Sequence, residues 1–264
     1  YCDAKAAEFY GHEYAMHFHF HSWPAGIDKK QSPNHQTIIN NGGQMGAYNG
    51  WERANWFAKD GDDTSENSTQ TWKREGPWFS RVREECLAVN RNVGVLDLPG
   101  FSRFKVEGPG ASEFLLSKIS GNLPAIDRMN LAYFPDERGR VLTEMSIMRH
   151  DLNKFTLITA GAAQWHDYEI LKLGINKNQN VEVSDITNNW TCLIVTGPNS
   201  RSLINSISNA DLTLPWLSLQ NAKIENKQIL LARVSYAGEL GWEIHAKNED
   251  CLLYTSDAAD EPSS

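Results

Sequence analysis

Hydrophobic and polar residues recur with two different periods along this chain, and the changes of period mark its predicted elements. Over residues 78–91 the apolar positions follow helical spacing, which predicts a helix that begins after Gly76-Pro77. The apolar run 93–98 predicts a short buried strand. Strands are also predicted at 131–135, 141–149 and 155–159, with a loop at 32–50, a turn at 136–140 and a helix at 160–173.

One pattern occurs twice, at residues 104–115 and 194–204. Each copy reads V-x-G-P-x-small-x-x-apolar-apolar. A strand that ends at glycine, a proline in the first helical turn and an apolar helix face explain this order of residues. Neither copy has the glycine spacing of a phosphate-binding loop, so we predict two similar strand–helix units rather than nucleotide sites.

Residues 234–245 read VSYAGELGWEIH and predict a hairpin that turns at Ala237-Gly238. One polar face would carry Tyr236, Glu239 and Glu243. A semi-buried carboxylate can accept two parallel N–H bonds from an amidine-like edge, such as that of a pterin or guanine, while a phenol packs on the ring. From the spacing alone, a surface hairpin with solvated acids is the simpler interpretation.

A second carboxylate of interest is Glu144, which lies among apolar residues of the strand predicted at 141–149. A buried, unpaired glutamate is costly, so Glu144 is expected to be partnered, protonated or functional. The alternative is a glutamate at a strand edge that bonds Arg140 or water.

Composition excludes several classes of function. The net charge of −8 and the lack of a basic stripe argue against nucleic-acid binding, and no apolar run is long enough for a membrane span. The cysteines share no short spacing that would indicate a zinc site or a disulfide scaffold. His17, His19 and His21 would share one face of a strand, but no fourth ligand is placed near them, so no metal site is predicted.

The segment YAGELGWE resembles the signature of the folate-binding aminomethyltransferase family, in the form fused to dimethylglycine and sarcosine dehydrogenases. YAMH at 14–17 and GWERANWF at 50–57 resemble the region that connects the flavin domain to the folate domain in those enzymes. The resemblance implies that Tyr236 and Glu243 line a tetrahydrofolate pocket. It implies that Glu144 is the catalytic carboxylate beside the reactive folate nitrogens, where most relatives have aspartate.

The resemblance also implies an α+β fold of antiparallel sheets with flanking helices. We expect a connecting region at 1–58 after a missing FAD domain, a linker at 59–75 and a truncated folate-binding domain at 76–250, with a barrel beyond it. Residues 251–264 resemble the translation of a sequencing adapter and are expected to be an artefact. The chain is therefore expected to be an internal piece of a longer protein.

The function implied is that of the folate-dependent part of an FAD-dependent demethylase. It would use an iminium derived from an N-methylated glycine to form 5,10-methylenetetrahydrofolate, with FAD only in the missing domain in cis. The compartment would be the cytoplasm in a bacterium or the mitochondrial matrix in a eukaryote. The alternatives are a glycine-cleavage aminomethyltransferase, a non-catalytic folate-binding domain and a plain structural domain.

Overall fold

A computed structural model of the chain describes residues 2–17, 23–69, 73–175 and 180–251, with only the backbone at 66 and 67. The described helices are α1 (Cys2–His12), α2 (His35–Asn40), α3 (Glu66–Thr69), α4 (Trp78–Arg91), α5 (Ala111–Lys118), α6 (Gln164–Lys172), α7 (Ser200–Ile207) and α8 (Asn248–Cys251). Short 3-10 turns lie at Gly161–Ala163 and Thr187–Asn189.

The described strands are β1 (Gly43–Tyr48), β2 (Trp51–Phe57), β3 (Gly94–Asp97), β4 (Phe101–Glu107), β5 (Arg128–Pro135), β6 (Val141–Asp151), β7 (Lys154–Ala160), β8 (Glu182–Asp185), β9 (Trp190–Thr196), β10 (Leu219–Ile224), β11 (Lys227–Ala232) and β12 (Gly241–Lys247). β1 and β2 form a hairpin. The first large sheet has the order β5-β6-β7-β4-β8, and the second has the order β10-β11-β12-β9-β3. Every strand pair is antiparallel, which confirms the predicted α+β class.

The two predicted strand–helix units are present, one in each large sheet. β4 leads into α5 and β9 leads into α7, and both helices begin two residues after the proline rather than at it. Gly108 and Gly197 have φ of 120° and 117°. An added Cβ would lie 2.2 Å from the carbonyl oxygen of Asn180 at the first glycine and 2.5 Å from that of Asn92 at the second. Glycine is therefore required at both positions for backbone conformation and for close approach.

Side chains alternate between the two faces of each large sheet, and both faces are used for packing. The outer face of the first sheet packs on α5 and α6 through residues such as Phe104, Phe114 and Leu157. The outer face of the second sheet packs on α7 through Trp242 and Ile244. A smaller cluster joins the inner faces of the two sheets, and it consists of Met129, Met148, Leu219 and Ala232. The two sheets therefore pack face to face, with the helices outside.

Two predictions of local structure were wrong. The strand predicted as buried at 93–98 is β3, an edge strand whose side chains Val95 and Leu96 are at least half exposed. The loop predicted at 32–50 contains α2, β1 and the turn into β2, because Trp51 and Trp56 of β2 are buried and anchor this segment. Hydrophobic periodicity is weak there, so tertiary burial decides the structure.

The segment before β3 is attached to the second sheet by buried polar contacts. Ser32 Oγ and Asn34 Nδ2 donate to the carboxylate of Asp97 at 2.5 and 3.0 Å. Cys251 Sγ donates to Asn34 Oδ1 at 3.4 Å.

The domain division predicted from the sequence stays a prediction. His17 is exposed, whereas His19, His21 and the tail after residue 251 lie outside the described residues.

Candidate functional site

Glu243 lies on β12, which is paired on both sides in the centre of the second sheet. Its register partners are Ala232 on β11 and Ile194 on β9. Because Trp242 and Ile244 face the outer core, Glu243 projects from the inner face, toward the first sheet. Its side chain is only 21% exposed, so the carboxylate is partly desolvated but still reachable.

His245 lies two residues further along the same face and is the direct partner of Glu243. Its Nε2 is 3.0 Å from Glu243 Oε2, and the side chain is 3% exposed. Burial lowers the pKa of His245, and the hydrogen bond to Glu243 opposes this only in part. Burial alone would raise the pKa of Glu243, but the His245 bond and the nearby charge of Arg103 hold that pKa below its usual range. An ionised Glu243 therefore accepts a bond from a neutral His245.

Arg103 on β4 brings a positive charge from the first sheet into this inner space. Its side chain is buried, and Nη1 donates to the carbonyl oxygen of Thr191 at 3.3 Å. Cys192, the next residue on β9, is the register partner of His245. Burial raises the pKa of the Cys192 thiol well above its usual range, so this cysteine stays protonated at neutral pH.

Two groups of side chains have the composition of a metal site. Ligand atoms of Cys192, Glu243 and His245 lie within 4.8 Å of one another. The positive charge of the Arg103 guanidinium disfavours metal binding there. The protonated thiol of Cys192 also disfavours it, because a cysteine binds metal as the thiolate. The second group is formed by Asp28, His35 and Glu52 in the segment before β3.

Of the two environments considered for Glu144, the structure shows the exposed one, without the Arg140 bond. Glu144 lies opposite Tyr133 of β5 and is exposed, so the cost of a buried charge does not apply. The pairing of β6 with β7 begins only at Ser146, which leaves Glu144 on an overhanging arm of the β5–β6 hairpin. Arg140, the partner considered from the sequence, bonds Asp136 at 2.7 Å instead.

The exposed arm around Glu144 is apolar on the inner face of the first sheet. Leu131, Tyr133 and Leu142 share this face with Glu144 and are each between 44% and 49% exposed. Met148 lies on the same face, four residues from Glu144, at the contact between the sheets. The carboxylate is thus about 13 Å along the strand from that contact. The surface around Glu144 suits a flat apolar ligand or another part of the protein.

Tyr236 is fully exposed and does not lie on the hairpin face predicted for it. β11 ends at Ala232, and residues 233–240 form a connection rather than a tight turn. In that connection Ser235 Oγ bonds both the amide of Gly238 and the carboxylate of Glu239. Tyr236 and Glu239 thus lie outside the strands, so strand alternation does not place them on the face of Glu243. The shared polar face predicted for Tyr236, Glu239 and Glu243 was therefore wrong.

The comparison with protein families identifies the class of domain. The family described as GCVT N-terminal domain matches residues 34–256. The chain belongs to this family. The resemblance to the folate-binding aminomethyltransferase family that the sequence motifs indicated is thereby confirmed.

Relatives of this GCVT-family chain include enzymes of greater length. Mitochondrial dimethylglycine dehydrogenase of Rattus norvegicus is 30% identical over 254 residues, which are 95% of the chain and 29% of that enzyme. The 4-methylaminobutanoate oxidase (formaldehyde-forming) of Paenarthrobacter nicotinovorans is 30% identical over 93% of the chain and 30% of that enzyme. The chain thus spans less than a third of the length of these relatives.

A solved structure shows the same fold. The glycine cleavage system aminomethyltransferase T of Bartonella henselae superimposes with a TM-score of 0.67 and 20% identity. The match covers 87% of the chain and 58% of that protein. At this identity the match shows the aminomethyltransferase fold, in agreement with the sheets and helices described above.

The three residues singled out from the sequence are not joined within the GCVT domain. Among the described residues, no hydrogen bond or ion pair links Glu144, Tyr236 and Glu243. None of the three lines either of two pockets in the described chain, one of which lies beside Arg103 and the other beside Pro109. The candidate site is therefore the open inner face between the sheets, with Glu243 at its buried end and Glu144 at its exposed end.

Sequence reasoning missed two residues of this site, His245 and Arg103. The alternation in GWEIH already places His245 on the face of Glu243, so this residue could have been found. Arg103 could not, because it approaches through contacts between β4 and the other sheet. Such long-range contacts leave no local pattern.

In the part of the chain that the structure describes, no helix has the length and apolar character needed to cross a membrane.

Proposed function

We propose that this chain is the tetrahydrofolate-binding part of a demethylase for N-methylated glycines, and that Glu243 binds the donor edge of the pterin ring. The observation that carries the proposal is the state of Glu243. Its carboxylate is ionised and partly accessible, and one oxygen is already held by His245. The other oxygen, Oε1, remains able to accept N–H bonds from a ring with an amidine-like edge.

The relatives support the choice of substrate class. One is named as a dehydrogenase of dimethylglycine and the other as an oxidase of a methylamino acid. Both names describe N-methylated amino acids. We propose that an FAD domain preceding this chain carries out the oxidation to an iminium, and that FAD serves as the electron acceptor there.

The chemistry proposed for this chain is capture of the iminium carbon. A folate nitrogen donates its lone pair to that carbon, the C=N electron pair returns to the amine nitrogen, and the N–H proton passes to a base. The second folate nitrogen then bonds the same carbon as the bond from carbon to the amine breaks, its N–H proton passes to the departing amine nitrogen, and 5,10-methylenetetrahydrofolate forms. We assign to Glu144 the role of stabilising the cation or accepting the proton, because it is an exposed carboxylate on the same inner face.

Tyr236 is proposed to orient the folate. Its ring is fully exposed, so it is available to pack on a bound ligand. The rest of the site has to position the reactants and keep out water, which would otherwise release the one-carbon unit as formaldehyde. The compartment proposed is the cytoplasm for a bacterial protein and the mitochondrial matrix for a eukaryotic one.

A second candidate function is that of a glycine-cleavage aminomethyltransferase, which takes its carbon from a lipoyl carrier. A relative named aminomethyltransferase, from Staphylococcus epidermidis, favours it; that protein is 26% identical over 84% of the chain. Both candidates require tetrahydrofolate. They differ in the one-carbon donor, so a lipoyl carrier charged with an aminomethyl group would be a substrate only of the second.

Calorimetric titration of the folded chain with tetrahydrofolate tests the proposal. We expect micromolar binding, near −8 kcal/mol, that weakens by at least about tenfold in Glu243→Gln. Glu239→Gln is the matched control, because Glu239 is an exposed glutamate in the adjacent connection. A folded wild-type chain that does not bind, or a Glu243→Gln chain that binds equally well, would contradict the proposal.

A further inference from the structure

We propose that His245 is a positioning residue, which fixes the carboxylate of Glu243 so that Oε1 faces the ring of the folate. This inference rests on the proposed function and adds a residue to it. His245 makes no contact with the ligand in this account. It acts through Glu243, by occupying Oε2 with its Nε2–H.

The geometry limits what His245 can do. It is 3% exposed on β12, between Leu230 of β11 and Cys192 of β9 in the strand register. The imidazole is almost fully buried, and its Nε2 lies 3.0 Å from Glu243 Oε2. A side chain packed in this way loses little freedom when it makes the bond.

The charges around the pair assign the tautomer. A neutral imidazole has one N–H donor, and a carboxylate can only accept, so the nitrogen beside Glu243 must carry the hydrogen. The buried guanidinium of Arg103 makes a second positive charge at His245 unfavourable. His245 is thus a neutral Nε2–H donor, and the negative charge stays on Glu243.

The consequence is a carboxylate that is oriented before any ligand arrives. A free glutamate side chain rotates about its last torsion and presents either oxygen. With Oε2 held by His245, the side chain has one orientation. A ring with two parallel N–H groups then loses less entropy on binding, which is the general advantage of a preorganised site.

The test compares tetrahydrofolate binding by wild type, His245→Leu and His245→Gln. Glutamine can place an amide N–H close to the position of Nε2, whereas leucine fills the space without a donor. We expect binding about tenfold weaker in His245→Leu and within about threefold of wild type in His245→Gln. His166→Leu is the control, because His166 is exposed and its partner is Asp167.

Two further readouts separate positioning from general destabilisation. In a Glu243→Gln background, His245→Leu should weaken binding by less than about twofold, because the two residues act as one unit. In the free wild-type chain, nitrogen NMR of the imidazole should show a protonated Nε2 and an unprotonated Nδ1 near pH 7.

The outcomes distinguish this inference from the proposed function. If wild type fails to bind, the proposed function fails and the inference with it. If wild type binds and His245→Leu binds equally well, or if the NMR shows the hydrogen on Nδ1, only the inference is overturned. A His245→Gln chain that is folded but binds as weakly as His245→Leu also overturns it.

Discussion

The two large sheets contain the same strand–glycine–proline–helix unit but hold their carboxylates in different ways. In the first sheet, Glu144 lies on a part of β6 that is paired with β5 alone, and it is exposed. In the second sheet, Glu243 lies on β12 between β9 and β11 and is bonded to His245. The bond to His245 thus fixes the carboxylate of Glu243, whereas Glu144, with a strand neighbour on one side only, is exposed.

This difference explains why the two residues receive different roles in our account. A fixed, partly desolvated carboxylate is suited to recognition, because its orientation is set in advance. An exposed carboxylate on a two-stranded arm is suited to a step that needs movement or access to solvent.

The repeated glycines should be equally important in both sheets. Gly108→Ala and Gly197→Ala each bring a Cβ to within 2.5 Å of a backbone carbonyl oxygen, at a positive φ. We expect each to lower the free energy of unfolding by roughly 2–4 kcal/mol, as measured by urea denaturation. Gly139→Ala is the control, because its φ is also positive but the space around it is open. An equal loss in the control would contradict the close-approach argument.

The two carboxylates should differ in their effect on folate affinity. Glu243→Gln should weaken tetrahydrofolate binding by about 10- to 100-fold, and Glu144→Gln by less than about threefold, because an exposed contact is screened by water. Calorimetry of both variants under one set of conditions gives the comparison directly. A larger effect of Glu144→Gln would reverse the assignment of recognition to the second sheet.

Acid should weaken the contact between the inner faces, where each sheet contributes a histidine. Burial lowers the pKa of His150, and the charged and titratable groups near it are Lys154, His245 and Asp127. Burial also lowers the pKa of His245, which lies near Glu243 and Arg103. A folded-state pKa below about 6.5 means that the unfolded chain binds more protons. The stability contribution is therefore present above about pH 6.5 and is lost as the pH falls through that value toward the folded pKa.

The measurement is the free energy of unfolding between about pH 7 and 5.5, where each histidine adds a slope of at most about 1.4 kcal/mol per pH unit. The double variant His150→Gln, His245→Gln should have a flatter slope than wild type. His166→Gln, at an exposed histidine, should keep the wild-type slope. A wild-type chain with no slope in this range would show that neither histidine is perturbed.

The smallest effect is expected at Tyr236. Its side chain is fully exposed, so Tyr236→Ala should change the free energy of unfolding by less than about 0.5 kcal/mol. Tyr168→Ala is the positive control, because that ring stacks on Phe104 with centroids 5.6 Å apart and packs on the first core. A substantial loss in Tyr236→Ala would mean that the connection packs on the sheet in solution.

Local pattern was sufficient for much of the fold. The G-P repeats and the periodicity of 78–91 are local signals, and both gave elements at the predicted places. The exposure of β3 and the burial of Trp51 depend on which strands become sheet edges, and no local pattern encodes that. For the same reason the alternation around Trp242 identifies the face of Glu243 but says nothing of Arg103, which comes from a strand about 140 residues away.

The site was harder to predict than the fold for a related reason. Because the sequence neighbours of Glu144 are apolar, the pattern leaves both a buried position and a strand edge open, but Val141 and Leu142 are themselves exposed on the hairpin arm. Tyr236 appeared to share a face with Glu243, but the connection 233–240 breaks the alternation on which that interpretation depended. Periodicity assigns faces only while a strand continues.

The most direct test of the account is a structure of the chain bound to a stable reduced folate. We expect two nitrogens of the pterin edge to lie within hydrogen-bond distance, about 2.7–3.2 Å, of the Glu243 carboxylate. His245 should still hold Oε2 in that complex. A pterin bound elsewhere, with Glu243 contacting only His245, would show that Glu243 does not bind the pterin.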